Sequence, residues 1–116
     1  MEKSFEALSV LLCVHLNLVS GQANTVVQSP SVLSVWEKET AIINCTYTNT
    51  ATNYFPWYKK EERKGFTLLT DIRSNVNRKK EGRFEVILDT NVKRVSLHIT
   101  ASRTEDSALY LCAPGT

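Results

Sequence analysis

The sequence of 116 residues contains little glycine and little proline, four and three residues respectively, and it carries almost no net charge. Sparse glycine and proline exclude a linker or a low-complexity chain. A formal net charge of +2 provides no electrostatic attraction to nucleic acid or to a membrane surface. The length has room for one domain.

Residue patterns that carry catalysis are also missing. The sequence has no glycine-rich phosphate loop, no metal-ligand cluster and no carboxylate pair. No acidic or nucleophilic residue lies at a spacing from His98 that would indicate a catalytic pair. His98 is therefore predicted to lie on the surface. The basic run Arg78-Lys79-Lys80 has no interleaved aromatic residue, which favours a solvated surface over a nucleic-acid site. We therefore predict no enzyme, no cofactor, no metal, no nucleic-acid partner and no small-molecule substrate.

The N-terminal segment, residues 1–21, is predicted to be a secretory signal peptide. A short polar start precedes an apolar stretch at residues 7–19 that is too short to span a bilayer. Ser20 and Gly21 are small residues suited to cleavage after Gly21. The alternative, a buried strand or helix, has no supporting periodicity in this stretch. The predicted mature domain is residues 22–116.

The cysteine count depends on this cleavage. Of the three cysteines, cleavage removes Cys13 and leaves Cys45 and Cys112. The secretory pathway permits a disulfide between them. Closing a loop of this length would stabilise the fold by about 4 kcal/mol in the chain-entropy model, which is a large share of the stability of a small domain. We therefore predict the pair Cys45–Cys112.

Short segments that alternate between apolar and polar residues dominate the rest of the chain. Ala41, Ile43 and Cys45 lie at alternate positions and are predicted to face the same side of one strand. Phe55 and Trp57 are likewise predicted to face inward from the next strand. No helical period of useful length is present. Strands are predicted at residues 25–28, 32–35, 40–47, 54–60, 66–71, 84–89, 95–99 and 106–112, with an irregular segment at residues 73–80. The pattern indicates an all-β fold, an antiparallel β-sandwich.

The spacing of Cys45, Trp57 and Cys112 indicates which kind of β-sandwich the chain forms. Trp57 follows Cys45 by about a dozen residues, and Cys112 ends the distant sequence Asp106-Ser107-Ala108-Leu109-Tyr110-Leu111-Cys112. This combination is typical of an immunoglobulin variable-type (V-type) domain, in which the disulfide bridges two sheets and the Trp packs against it. Tyr110 is expected to form a tyrosine corner, with its hydroxyl bonded to the backbone just upstream.

Over residues 22–113 the chain resembles T-cell receptor variable regions, the alpha class most closely. The resemblance is carried by Gln28-Ser29-Pro30, Leu33-Ser34-Val35, Ile43-Asn44-Cys45-Thr46-Tyr47, Tyr54-Phe55-Pro56-Trp57-Tyr58-Lys59, Asp71-Ile72-Arg73-Ser74-Asn75-Val76, Ser96-Leu97-His98-Ile99-Thr100 and Glu105-Asp106-Ser107-Ala108. A delta-chain variable region is a close alternative. An antibody light chain and a free-standing V-type adhesion domain are more distant ones.

The resemblance implies antigen recognition in adaptive immunity. The first and second hypervariable loops would bind peptide held by a major histocompatibility (MHC) molecule, within an alpha–beta heterodimer. It also implies CD3 signalling subunits bound through parts outside this sequence, and the extracellular face of the plasma membrane, with an anchor not in this sequence. The implied first loop is Asn49, Thr50, Ala51, Thr52, Asn53 and Tyr54, and the second is Ile72, Arg73, Ser74, Asn75, Val76, Asn77 and Arg78. Among these, ligand contacts are expected at Tyr54, Arg73, Asn75 and Arg78.

The resemblance further implies an interface with the beta-chain variable domain. The expected residues are Tyr58, Lys60, Phe66 and Leu111. Lys60 stands where the family usually has Gln, and Lys supplies no acceptor for a reciprocal amide pair. Phe66 replaces a customary Pro and adds apolar area. We therefore expect the interface to persist and to rely on packing.

Two further features follow from the family pattern. Arg83 and Asp106 match its salt bridge, which ties the base of one strand to the turn before the last strand. Glu37-Lys38-Glu39 stands where a Gly is common, so Lys38 or a neighbour is expected at positive φ.

The remaining expectations concern modification and extent. Asn44-Cys45-Thr46 is an N-glycosylation sequon, although the central Cys and the location inside a strand both disfavour its use. After Cys112 the sequence contains neither the Phe-Gly-x-Gly joining segment nor the final strand G of the family. The sequence therefore resembles a germline-encoded or truncated variable segment that ends after strand F.

Overall fold

The computed structural model of the chain describes residues 7–12, 25–30 and 32–116. Within these residues the elements are β1 (Ala7–Leu12), β2 (Val26–Ser29), β3 (Val32–Trp36), β4 (Ala41–Tyr47), β5 (Tyr54–Lys60), β6 (Phe66–Arg73), β7 (Arg78–Glu81), β8 (Phe84–Asp89), β9 (Arg94–Ile99), a 3-10 turn (Thr104–Asp106) and β10 (Leu109–Cys112). In this part of the chain no helix is long and apolar enough to cross a membrane.

The strands form two five-stranded sheets. The first sheet has the order β3-β1-β10-β5-β6, and the second has the order β2-β4-β9-β8-β7. Every neighbouring pair is antiparallel except β1 and β10, which run parallel. The predicted all-β antiparallel sandwich is confirmed.

The core lies between the inner faces of the two sheets. In β4 the burial alternates strictly, so Ala41, Ile43, Cys45 and Tyr47 point inward while their neighbours point out. The same period of two governs β8 and β10, as expected for strands with one face on the core and one toward water. The buried apolar set is Ala41, Ile43, Cys45, Tyr47, Phe55, Trp57, Ile72, Val86, Leu88, Val95, Leu97, Ile99, Tyr110 and Cys112.

The N-terminal part of the domain changes sheets at a proline. β2 pairs with β4 in the second sheet, whereas β3 belongs to the first sheet. Pro30 lies between the two strands and has no N–H to give to either ladder. The chain therefore leaves the second sheet after β2 and enters the first sheet at β3.

β1 occupies the edge of β10 at which the family pattern places strand G. It pairs antiparallel with β3 over residues 7–11 and parallel with β10 through Leu11 and Leu12. A strand was not expected here, because this segment falls inside the predicted signal peptide and lacks a strand period. The proposed cleavage position at Ser20 and Gly21 lies outside the described residues.

Two segments differ from the sequence prediction. Residues 78–81 form β7 rather than an irregular stretch, and they pair with β8 at the edge of the second sheet. The last strand begins at Leu109 rather than at Asp106. The reason is a 3-10 turn before the strand, in which the amide of Ser107 donates to the carbonyl of Thr104. This backbone hydrogen bond is made within the turn and not to a neighbouring strand.

The turn between β3 and β4 adopts the predicted backbone. Lys38 has a φ of 77°. Its amide donates to the carbonyl of Ser102 at 2.8 Å, and the amide of Glu39 donates to the carbonyl of Trp36 at 3.1 Å. These bonds hold a lysine in the left-handed region that glycine occupies without a steric penalty.

Candidate functional site

The two sheets are joined by the disulfide between Cys45 and Cys112, whose Cα atoms are 6.5 Å apart. Trp57 is the cross-strand partner of Cys112 on β5, and its side chain is fully buried. Its indole nitrogen has no hydrogen-bond partner among the described residues. Trp57 therefore supports the fold by packing alone.

The last turn and β10 are held by the predicted tyrosine corner and ion pair. The buried Tyr110 hydroxyl donates to the carbonyl of Asp106, four residues upstream. Burial and the nearby Asp106 carboxylate raise the pKa of Tyr110, which keeps it a neutral donor. Arg83 donates to both carboxylate oxygens of Asp106, each at 2.9 Å. This fork geometry is the strong form of an Arg–carboxylate pair.

Asp106 stays ionised although it is buried. Burial opposes its ionisation, but the Arg83 guanidinium and the backbone amide of Arg103 hold the pKa of the carboxyl below its usual value. Arg83 also donates to the carbonyls of Thr100 and Ala101. One guanidinium thus ties the start of β8 to the turn after β9 and to the turn before β10.

A further support, at Gln28, was not predicted. This buried side chain reaches from β2 across the core, donating from Nε2 to the carbonyl of Tyr110 at 2.9 Å. Its Oε1 accepts from the amide of Cys112 at 3.0 Å. Gln28 is a polar residue at an inward-facing position of β2, and this position is the signal that could have identified it.

The first predicted loop is shaped by its own side chains. The amide of Ala51 donates to Asn49 Oδ1 at 2.9 Å, and the Thr52 hydroxyl donates to the carbonyl of Asn49 at 2.7 Å. Thr52 is buried, so its side chain supports the predicted loop from within and does not face outward. Thr50, Ala51 and Asn53 remain exposed.

The second predicted loop begins inside β6. Ile72 is 2% exposed, so its side chain belongs to the core and does not face outward with the rest of the predicted loop. It alternates with Arg73, which is exposed. The exposed members of this loop are Arg73, Ser74, Asn75, Val76, Asn77 and Arg78. Arg78 is the first residue of β7, and its guanidinium pairs with Glu85 at 3.1 Å.

The two loops are joined through main chain and side chains. The amide of Ser74 donates to the carbonyl of Asn53 at 3.0 Å. The Tyr54 hydroxyl donates to Asp71 Oδ2 at 2.7 Å, and Lys79 Nζ donates to Asp71 Oδ1 at 2.8 Å. The guanidinium of Arg73 lies 4.5 Å from the centre of the Tyr54 ring, within cation–π range.

Asp71 is the shared acceptor of this cluster. Hydrogen bonds from Lys79 and from Tyr54 lower the pKa of the Asp71 carboxyl, so it remains an anion between the two donors. The same bonds raise the pKa values of Lys79 and of Tyr54. Tyr54, Asp71, Arg73 and Lys79, here called the loop clamp, fix the side-by-side position of the two loops.

The segment that follows Cys112 leaves the sheet beside the first loop. Gly115 bridges to Tyr54, and the amide of Gly115 donates to the carbonyl of Tyr54 at 2.9 Å. The amides of Asn53 and Tyr54 both donate back to the carbonyl of Gly115. The segment from Ala113 onward therefore lies at the same end of the sandwich as the two predicted loops.

The outer face of the first sheet carries the predicted partner residues. Leu111, Tyr58 and Leu68 form one cross-strand row, and Leu109, Lys60 and Phe66 form the next. Phe66 is 46% exposed and Leu68 is 52% exposed, while Tyr58, Lys60 and Leu111 are half-buried. Leu68 was missed, although it shares the parity of Phe66 on β6. These two rows are called the apolar face.

The predicted glycosylation residue Asn44 lies on the outer face of the second sheet. It is half-buried, between two inward-facing residues of β4. Its side-chain oxygen accepts from the hydroxyl of Ser96 at 2.7 Å. Among the described residues, no group of three or more His, Cys, Asp or Glu side chains could hold a metal ion.

Comparisons with known proteins find one family model and several relatives for this chain. The family model described as immunoglobulin V-set domain matches residues 28–116. The chain is 44% identical to human "T cell receptor alpha variable 23/delta variable 6", covering 97% of this chain and 98% of that protein. It is 43% identical to human "T cell receptor alpha variable 13-2", over 92% and 94% of the two chains. It is also 43% identical to mouse "T-cell receptor alpha chain V region 2B4", over 96% and 83%.

Proposed function

Because this chain belongs to the immunoglobulin V-set family, and within it to the T-cell receptor alpha and delta variable regions, we propose that it is the antigen-recognition variable region of a T-cell receptor alpha chain. In this role it contributes the first and second hypervariable loops that bind a peptide–MHC ligand. The loops act as part of an alpha–beta heterodimer.

The loop clamp is the observation that carries this proposal. It presents an aromatic ring and a guanidinium, Tyr54 and Arg73, on a fixed base that spans both loops. Tyrosine offers a large contact area at low entropic cost, and arginine pairs bidentately with carboxylates. The neighbouring Val76, which is 43% exposed, adds an apolar contact. This chemistry suits the charged, helical surface of a presenting molecule.

Pairing within the receptor heterodimer is assigned to the apolar face. Phe66 and Leu68 expose apolar area that a partner variable domain would cover. The proposed partner is a beta chain, and CD3 signalling subunits would bind through parts outside this sequence. The proposed location is the extracellular face of the plasma membrane, reached through the secretory pathway after cleavage of residues 1–21.

A delta-chain variable region is the second candidate. The observation that favours it is that several similar human proteins carry both an alpha and a delta designation in their names. Co-expression of this chain, fused to the matching constant region, with a beta chain or with a gamma chain separates the two. Stable pairing with the gamma chain alone would replace the alpha proposal.

The role of the loops is tested by Arg73→Ala in a heterodimeric receptor that contains this chain and has a known peptide–MHC ligand. Surface plasmon resonance should show roughly tenfold weaker binding, since an interface arginine is worth about 1–2 kcal/mol. Arg94→Ala is the matched control, because Arg94 is an exposed arginine on β9. Unchanged affinity in Arg73→Ala, or an equal loss in Arg94→Ala, would contradict the proposal.

A further inference from the structure

The outer face of the second sheet contains the one Asn-x-Ser/Thr sequence in the 116-residue chain, Asn44-Cys45-Thr46. The strict alternation of β4 turns Cys45 into the core and turns Asn44 and Thr46 outward. Asn44 and the hydroxyl-bearing residue required for its recognition therefore share the solvent-facing side.

The strands on both sides of Asn44 place small side chains next to it. Its cross-strand partner on β2 is Ser29, and its partner on β9 is Ser96. Ser29 is exposed, whereas Ser96 is buried beside the half-buried Asn44. Both serine side chains are shorter than that of the asparagine, so neither extends past the amide to which a sugar ring would be attached.

The hydrogen bond already made by Asn44 is compatible with attachment. The Ser96 hydroxyl donates to Oδ1 of Asn44 at 2.7 Å, and it does not engage Nδ2. An N-linked sugar is bonded to Nδ2, and the amide oxygen keeps both lone pairs. The contact with Ser96 thus survives modification and fixes the orientation of the amide plane.

The order of synthesis removes the objections raised by the central cysteine and the strand. The disulfide partner of Cys45 lies 67 residues further along the chain. The sequon therefore emerges before Cys112 exists and before β4 can pair with β9. At that stage Cys45 is a small free thiol in an extended segment.

We propose that Asn44 carries an N-linked glycan that covers the outer face of the second sheet. The donor is an oligosaccharide on a lipid pyrophosphate. The bond between its anomeric carbon and the pyrophosphate oxygen breaks, Nδ2 forms a bond to that carbon, and Nδ2 loses one proton as the lipid pyrophosphate leaves. The attached sugars lie close to Ile42 and Val27, which are 43% and 51% exposed. The apolar face of the first sheet stays free of this glycan and available for heterodimer pairing.

The proposal rests on entry into the secretory pathway, which belongs to the proposed function. The full chain is therefore expressed in mammalian cells in two forms, one with its own residues 1–21 and one with a proven signal peptide in their place. Peptide-N-glycosidase treatment should increase the mobility of the secreted chain and convert Asn44 to Asp in the peptide mass spectrum. Modification in the second form alone supports the glycan site and rejects the predicted leader.

Two variants at Thr46 test the assignment to this sequon. Thr46→Ser keeps the hydroxyl and should retain the glycan. Thr46→Val keeps the shape and the strand preference but has no hydroxyl, and it should lose modification from all chains. A secreted chain with unmodified Asn44 in the form with the proven signal peptide, or a mobility shift that persists in Thr46→Val, would overturn the proposal.

Discussion

Gln28 and Tyr110 are 82 residues apart in the sequence and are joined across the core by a hydrogen bond of 2.9 Å. The same amide group accepts from the backbone of Cys112. Gln28 therefore holds both ends of a short segment of β10 from a strand of the other sheet. The disulfide is accompanied by a polar connection that joins the same two layers.

Replacement of Gln28 by Ala should lower the free energy of unfolding by about 2–4 kcal/mol, because two buried backbone groups of β10 lose their partners. Urea denaturation followed by tryptophan fluorescence measures this change, with Trp57 as the buried reporter. Ser29→Ala, at an exposed neighbouring position, should change stability by no more than about 0.5 kcal/mol. Equal midpoints for the Gln28 variant and the wild type would contradict the role of this amide.

The ion pair between Arg83 and Asp106 predicts a pH dependence. The pKa of Asp106 is lower in the folded state than its ordinary value of about 3.9. Its stabilising contribution is therefore complete above the unfolded-state pKa, and it is lost as the pH falls through the lower folded-state value. At neutral pH, Asp106→Asn should cost about 2 kcal/mol, since Arg83 remains partly exposed and partly solvated.

The stability difference between wild type and Asp106→Asn should stay constant from neutral pH to about pH 5 and shrink only in stronger acid. Urea midpoints measured across this range test the sign. Glu105→Gln is the control, because Glu105 is the exposed neighbour of Asp106. A difference that grows as the pH falls would contradict this account.

Lys38 offers a stabilising substitution. Its φ of 77° is costly for a residue with a Cβ atom, and glycine adopts it freely. Lys38→Gly should therefore raise the melting temperature, with a gain of up to about 1 kcal/mol. Glu37→Gly, one residue earlier and without positive φ, should lower it, because only the unfolded chain gains freedom there. The same direction of change in both variants would argue against strain at Lys38.

The apolar face predicts the outcome of interface substitutions. Phe66→Ala and Leu68→Ala should each weaken association with the partner chain by about 1–2 kcal/mol, because each removes apolar area that pairing would bury. Analytical ultracentrifugation of the paired ectodomains gives the dissociation constant. Val92→Ala removes an equally exposed apolar residue from a turn that lies elsewhere, and it should have no effect. Unchanged dimerisation in both face variants would place the interface on another surface.

The strands that could be predicted from the sequence have apolar residues at alternate positions. β5 and β8 have the predicted bounds, because inward-facing apolar residues at alternate positions, such as Phe55 and Trp57, mark a strand directly. β7 could not be predicted in this way, because its sequence Arg78-Lys79-Lys80-Glu81 is entirely polar. An edge strand with no inward apolar residue has no such alternation, and only its partner β8 determines its conformation.

Some features of the candidate site could likewise be predicted from the sequence, and others could not. The disulfide could be predicted because the predicted cleavage leaves two cysteines, and the tyrosine corner because Tyr110 lies two residues before Cys112. The loop clamp could not, because Tyr54 and Asp71 are brought together by the antiparallel register of β5 and β6. A strand register depends on long-range pairing, and neither residue carries a local signal for it. Ile72 and Thr52 were assigned to the loops by position, whereas backbone direction and local hydrogen bonding turn them inward.

Asp71 belongs to neither set of exposed loop residues, yet it bonds to Tyr54 in one loop and to Lys79 beside the other. A single inherited change at Asp71 would therefore alter both loops together. Alleles that differ at this position would differ in the conformation of two loops at once. Selection on one loop would in this way be coupled to selection on the other.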